Sequence, residues 1–149
     1  MSMTSLVEPE LSIRSIGREQ LAPMQTIPHC DHSGANIVAG MFYMQGNDSG
    51  GTAFYCHRRT GFETISKGRE ATYRAAVKEE MQNTSIATRD YHYGDTDAYE
   101  MLEDIEARQD PLILYRGNLL YSGVIPHGTK LSTDPAAGRP TMNMFFCGQ

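Results

Sequence analysis

The alternation of apolar and polar positions predicts short strands along the first part of the chain. Leu11 and Ile13 alternate with polar neighbours, and a second extended piece is expected over residues 24–27. The run over 36–44 is apolar on both faces, which is typical of a central strand that is buried on two sides. The sequence therefore begins with strands.

A dense turn signal separates that apolar run from the next strand. The segment 46–51 is rich in Gly, Asn and Asp, and residues 52–56 are rich in aromatic, β-branched and small side chains. We expect the strands on either side of the turn to form a hairpin. Further strands are predicted at 112–115, 119–124 and 140–147, the first two of these lying side by side. Residues 99–105 fit either a strand or a short helix, and the strand is favoured.

One helix is predicted, between about residues 66 and 82. Tyr73, Val77 and Met81 recur at a spacing of four, which is typical of an amphipathic helix that packs on one face of a sheet. The polar segment that follows, 83–97, is expected to be a loop whose aromatic side chains line the mouth of a pocket. Several strands and one helix predict an all-β domain spanning 1–149, a sandwich or barrel-like roll with a helical addition.

Composition narrows the functional classes. The chain has 149 residues, about one domain's worth, and a formal net charge of -5, so it lacks the positive field of a general nucleic-acid or membrane-surface binder. No apolar run approaches the roughly 20 residues that cross a bilayer. Three widely spaced cysteines without a Cys-x-x-Cys pair favour reduced thiols. We therefore expect a cytoplasmic protein whose partner is neither nucleic acid nor membrane.

The first candidate for chemistry is the pair His29 and Asp31. Residues two apart in an extended segment point to the same side, so the imidazole and the carboxylate converge. Such a pair supplies two of the three ligands in the facial site of non-haem iron oxygenases. Taken alone, the spacing occurs by chance in many chains, and a hydrogen-bonded pair in a loop explains it more simply.

Further motifs, spaced along the chain, strengthen the iron hypothesis. In chain order they are Pro28-His29-Cys30-Asp31, Tyr43-Met44, Gly50-Gly51-Thr52-Ala53-Phe54, Leu119-Leu120-Tyr121-Ser122-Gly123 and Gly138-Arg139-Pro140-Thr141. This series resembles the Fe(II)/2-oxoglutarate-dependent oxygenases, nearest to their prolyl 4-hydroxylase-like branch and its bacterial relatives. The resemblance covers roughly 25–62 and 111–146, about half of the chain. It implies a double-stranded β-helix, the cupin-like jelly roll, with one flanking helix.

The resemblance also implies roles for particular residues. His29 and Asp31 would hold Fe(II), and Arg139 would pair with the distal carboxylate of 2-oxoglutarate, for which a guanidinium fork is well suited. Thr141 and Tyr43 would add contacts to the same cosubstrate. The implied activity is hydroxylation of a small molecule or a side chain.

Tyr121 departs from the family pattern, because it stands where the family carries its second histidine ligand. A neutral phenol, with an ordinary pKa near 10, is a poor ligand for Fe(II). Three alternatives follow. His127 completes the site from the next loop, or Tyr121 binds the metal directly or through a water. In the third, the site has lost its metal and the jelly roll binds a small acid or a protein partner.

The sequence gives two further expectations, one about the metal alternatives and one about oligomeric state. A hydrogen bond from the Tyr121 hydroxyl to Asp31 would satisfy both groups without a metal and would favour the third alternative. Only 28 residues precede His29, fewer than related enzymes often carry. A homodimer in which exposed sheet edges pair is therefore a further hypothesis.

Overall fold

The computed structural model describes residues 3–44, 50–83, 90–108, 112–129 and 131–148. Its strands are β1 (Met3–Arg14), β2 (Ile37–Tyr43), β3 (Gly51–His57), β4 (Tyr99–Glu106), β5 (Leu112–Arg116), β6 (Tyr121–Val124) and β7 (Arg139–Gly148). Its helices are α1 (Glu70–Asn83) and the short 3-10 turns Arg18–Gln20 and Pro23–Thr26. The predicted all-β class with one main helix is confirmed.

The strands form two antiparallel sheets. The four-stranded sheet has the order β1-β7-β2-β5, and the three-stranded sheet has the order β4-β3-β6. An isolated bridge joins His29 to Tyr121, at the start of β6. His29 therefore extends the three-stranded sheet beyond β6 at one point.

The two sheets face each other across an aromatic core. Met41, Tyr43 and Tyr115 of the four-stranded sheet share one buried cluster with Phe54 and Tyr121 of the three-stranded sheet. The ring of Tyr115 lies 5.2 Å from the rings of both Phe54 and Tyr121. These contacts fill the space between the sheets with large side chains, which bury much apolar area per residue.

Helix α1 covers the outer face of the three-stranded sheet. Its buried residues Tyr73 and Val77 pack against Ala53, Tyr55 and Tyr99 of that sheet. The predicted spacing of four is thus confirmed as the packing face. The α-helix begins a few residues later than predicted, because residues 66–69 form a turn.

Several details of the strand prediction are wrong. The strands β2 and β3 exist, but they lie in opposite sheets and do not form a hairpin, and the same holds for β5 and β6. The strand covered on both faces is β3, because α1 packs on the three-stranded sheet, whereas the outward side chains of β2 are only half-buried.

The extended piece expected over 24–27 is a 3-10 turn instead. The side chain of Gln25 accepts a hydrogen bond from the Ala22 backbone, and the Thr26 hydroxyl donates to the Pro23 carbonyl. Such local bonds compete with strand pairing. Most of the predicted turn at 46–51 lies outside the described residues. No helix in the described part of the chain is long and apolar enough to span a membrane.

Candidate functional site

Backbone pairing brings the two distant motifs of the predicted metal site together. The His29 amide donates to the Tyr121 carbonyl at 2.9 Å, and the Tyr121 amide donates back to the His29 carbonyl at 2.8 Å. The Asp31 amide donates to the Gly117 carbonyl at 3.1 Å, which holds the following loop in place. The imidazole and phenol rings consequently lie 4.5 Å apart. His29, Asp31 and Tyr121 form one corner of the interior, which we call the His29 corner.

The Tyr121 hydroxyl donates a hydrogen bond to Oδ1 of Asp31 at 2.9 Å. Burial raises the pKa of Tyr121 well above its ordinary value, and the neighbouring Tyr115 and Asp31 raise it further. The phenol is therefore neutral at physiological pH and acts as a donor to the carboxylate. This is the geometry expected of the metal-free alternative.

His29 is also neutral at physiological pH. Burial lowers its pKa below 6.5, the charge of Asp31 acts in the opposite direction, and Arg14 lowers it further. A neutral imidazole is the form that binds a metal ion. The corner thus contains one imidazole, one carboxylate and one neutral phenol.

These donors do not fit a three-ligand iron centre. The facial site needs a third nitrogen or anionic oxygen ligand, and Tyr121 instead presents a protonated hydroxyl whose hydrogen is committed to Asp31. Within the described ranges, no group of three or more His, Cys, Asp or Glu side chains could hold a metal ion. The residues present supply two ligands of the three.

His127 does not join this corner. Its side chain is 87% exposed, and its Nε2 atom lies 3.7 Å from Asp90. Cys30, between the two candidate ligands in sequence, packs toward the cluster under helix α1. The structure therefore gathers His29, Asp31 and Tyr121 but leaves His127 on the surface.

The residues predicted to hold a carboxylate form a second group, which we call the Arg139 corner. Arg139 is 3% exposed, donates through Nη2 to the Gly51 carbonyl at 2.8 Å, and lies 5.5 Å from the centre of the Tyr43 ring. Thr141 is 5% exposed and is the cross-strand partner of Tyr43. The Tyr43 hydroxyl in turn bonds to the Thr52 hydroxyl.

Burial controls the electrostatics of the Arg139 corner as well. It lowers the pKa of Arg139, while Tyr43 raises it and Arg14 lowers it. Burial likewise raises the pKa of Tyr43, which keeps that hydroxyl protonated. The corner therefore combines a desolvated cation with neutral hydroxyl groups, a combination that suits a carboxylate.

Sequence reasoning missed Tyr115, which connects the two halves of the interior. Its ring touches Phe54 and Tyr121, and its pKa is raised by burial and by Asp31. No motif contains Tyr115. The signal that could have found it is the alternation within β5, which places it on the inward side.

The predicted pocket mouth at 83–97 is only partly described, and its described aromatic residues behave differently from one another. Tyr91 and His92 are 9% and 8% exposed, so they belong to the core. Tyr93 is exposed and its hydroxyl donates to Asp104 at 2.9 Å. The prediction that these aromatic side chains line an open pocket is wrong for Tyr91 and His92, because the loop folds inward there.

Comparison with known proteins gives one match. A model described as "Family of unknown function (DUF6445)" matches residues 2–146. Neither the comparison with curated proteins nor that with solved structures found a match. Since the family model spans nearly the whole chain, the protein belongs to the DUF6445 family.

Proposed function

We propose that the fold is a double-stranded β-helix, the jelly roll implied by the sequence resemblance. The nesting of the strand pairs supports this: β1 pairs with β7, His29 bridges to β6, β2 pairs with β5, and β3 pairs with β4. The first strand thus pairs with the last strand, and the two middle strands, β3 and β4, pair with each other. Such nesting describes one antiparallel ribbon wound into two facing sheets.

We infer that the protein is a binding module of this fold, which holds a small carboxylic acid without a three-ligand iron centre. One observation carries this inference: the neutral hydroxyl of Tyr121 donates to Asp31 at the position of the third ligand. The bond satisfies the phenol and the carboxylate together. A buried polar pair that is satisfied in this way is stable without a metal ion.

The Arg139 corner supplies the binding chemistry. A buried guanidinium interacts strongly with a carboxylate, because water screens the pair poorly there. An anion beside Arg139 would offset the cost of burying its charge, which the lowered pKa of Arg139 reflects. Thr141 and Tyr43 lie close enough to contribute hydroxyl groups. The class of ligand supported by this corner is a small dicarboxylate or 2-oxo acid such as 2-oxoglutarate.

The test is calorimetric titration of the protein with 2-oxoglutarate and with succinate in the presence of a chelator. Binding should weaken at least about tenfold in Arg139→Met, the loss expected when a charge-assisted hydrogen bond is removed. Arg58→Met, which changes an exposed arginine, is the matched control. Thr141→Val serves as a milder second variant if Arg139→Met unfolds. Absence of binding at millimolar ligand, or equal binding by Arg139→Met, would contradict the proposal.

A second candidate function is the oxygenase activity implied by the resemblance, the hydroxylation of a small molecule or a side chain. The observation that favours it is the convergence of a neutral His29 with Asp31 in one corner. The same titration separates the two functions when it is repeated anaerobically with Fe(II). If the protein is an oxygenase, Fe(II) should tighten the binding of 2-oxoglutarate. If it is a binding module, its affinity for 2-oxoglutarate should be the same with Fe(II) as with the chelator.

A further inference from the structure

The outer face of the four-stranded sheet is apolar. The inward residues of this sheet include Arg139 and Thr141, so the alternating positions of each strand point outward. The outward residues are Leu11 and Ile13 of β1, Pro140, Met142, Met144 and Phe146 of β7, Val38, Gly40 and Phe42 of β2, and Leu112, Leu114 and Arg116 of β5. We call this surface the outer face.

Strand register arranges these side chains in continuous rows. Leu11 is opposite Met142, Met142 is opposite Phe42, and Phe42 is opposite Leu112, so one apolar row crosses all four strands. A Cβ atom built on Gly40 would meet side-chain atoms of Leu114, Phe146 and Met144 at 3.2 to 3.5 Å. The side chains of Leu114, Phe146 and Met144 therefore cover Gly40, and the apolar surface continues across this position.

Several members of the face are in contact with water. Leu114 is 58% exposed, Leu11 is 54% exposed and Leu112 is 49% exposed. In a two-sheet protein, the outward side of an antiparallel sheet is ordinarily polar. Here β7 has the opposite pattern, because its inward positions carry Arg139 and Thr141 while its outward positions carry Met and Phe. Continuous exposed apolar surfaces of this kind mark contact sites.

The chemistry of the face favours a second copy of the same sheet as the occupant. Among the described side chains of the outer face, Arg116 at one corner is the one that carries a charge. The outer face therefore has no charge pattern that would attract a polyanion or a charged partner. Two flat sheets pack face to face about 10 Å apart. A surface placed on a two-fold axis meets itself, and an apolar sheet face is complementary to its own copy.

The size of the face is sufficient for such a dimer. The face is four strands wide, with about 4.8 Å per strand, and about six residues long, with a rise of about 3.4 Å per residue. These dimensions give a projected area on the order of 400 Å². The accessible area of a surface with side chains exceeds its projection. Two copies with their rims therefore bury on the order of 1,000 Å² in total, the lower bound for a specific interface.

We propose that the protein forms a homodimer in which two copies stack the outer faces of their four-stranded sheets about a two-fold axis. This arrangement removes Leu11, Leu112 and Leu114 from water. It differs from the dimer expected from the sequence, in which exposed edge strands pair. The acid-binding interior lies on the other side of the sheet, so the inference does not depend on the proposed function.

Sedimentation velocity of the full chain between about 1 and 100 μM, a range that brackets micromolar association, tests this proposal. The wild type should sediment at twice the chain mass at the upper end. Leu114→Glu should convert it to a monomer, because the dimer would bury two unpaired carboxylates. Leu102→Glu, at a 43% exposed leucine of β4 in the other sheet, is the matched control and should leave the dimer intact.

Circular dichroism melting of each variant excludes loss of fold as the cause, and Leu112→Glu gives an independent disruption of the same face. A wild type that is monomeric at every concentration would overturn the proposal. A dimer that persists in both Leu114→Glu and Leu112→Glu would also overturn it, and would instead favour pairing through an edge strand or another surface.

Discussion

The two corners of the interior differ in how closely they keep the pattern of the oxygenases that the sequence resembles. The Arg139 corner has all three predicted groups, with Arg139, Thr141 and Tyr43 buried together. The His29 corner has two, because the third position carries Tyr121, which is hydrogen-bonded to Asp31. The difference shows that the buried cationic group of one corner and the incomplete set of metal-ligand types of the other are independent features of the same interior.

Burial acts on both corners but has different consequences. In the His29 corner, burial favours the neutral forms of His29 and Tyr121. The carboxylate of Asp31 is therefore stabilised by a hydrogen bond rather than by a neighbouring cation. In the Arg139 corner a buried guanidinium remains charged even though burial lowers its pKa. The fixed positive charge that a carboxylate requires thus lies in the Arg139 corner.

The largest effect is expected at Tyr115, in the core where the two sheets pack against each other. Tyr115→Ala removes a ring that packs against both Phe54 and Tyr121, and it should lower the free energy of unfolding by about 3–5 kcal/mol through lost burial and a cavity. Leu102→Ala, at an exposed leucine, should cost less than about 0.5 kcal/mol. Urea denaturation measures both. Equal losses would contradict the packing role of this ring between the sheets.

A smaller effect is expected at the hydrogen bond that distinguishes the His29 corner. Tyr121→Phe removes the hydrogen bond from this phenol to Asp31 and should lower the free energy of unfolding by about 1–2 kcal/mol. Tyr93→Phe is a matched control, because it removes a Tyr–Asp hydrogen bond of the same 2.9 Å length from an exposed site, and should cost less than about 0.5 kcal/mol. If the denaturation curves of the two variants show the same loss of stability, the Tyr121 hydroxyl has no special structural role.

The pH dependence of stability tests the neutral state of His29. Because burial lowers the pKa of His29 in the folded protein, the unfolded chain binds the proton more readily. Stability should therefore be fully present above about pH 6.5, the unfolded value, and should fall as the pH drops below it. His92, whose pKa is also lowered by burial, adds to the same loss.

His29→Gln should remove part of this acid sensitivity. Thermal melting of the wild type and of this variant between about pH 5 and 8 measures the effect. If the profile of His29→Gln coincides with that of the wild type, His29 is not held neutral by the fold.

The smallest effect is expected at Cys30, which lies between the two candidate ligands in sequence. Its side chain packs with the cluster under helix α1 rather than with the site. Cys30→Ala should therefore change the affinity for 2-oxoglutarate by less than about twofold, within the range of a substitution that touches no ligand contact. Calorimetric titration compares it with the wild type. A tenfold loss would place Cys30 in the ligand site and contradict the described side-chain direction.

Local patterns predict the elements of this protein well, because each depends on neighbours in sequence. The alternation in β7 and the spacing of Tyr73 and Val77 on α1 both follow from backbone periodicity. The pairing partners do not follow from it. The turn before β3 predicts a hairpin, whereas the chain crosses there to the opposite sheet, and no local signal distinguishes these outcomes.

The candidate site shows the same limit. The residues that form it could be named from motifs, but the partner of the Tyr121 hydroxyl depends on the bridge between two segments that are 90 residues apart. Tyr115 belongs to no motif and is brought in by sheet packing alone. The exposure of the outer face likewise follows from tertiary structure, since the sequence predicts that β2 is covered on both sides.

The proposed metal-free interior requires that the phenol of Tyr121 occupies the position of the third metal ligand. Anaerobic titration with Fe(II) and 2-oxoglutarate tests it most directly, with the weak visible charge-transfer band of the chelated complex as the signal. The wild type should give no band, and Tyr121→His, which restores an imidazole beside His29 and Asp31, should give one. A band in the wild type, or none in a folded Tyr121→His, would contradict the claim.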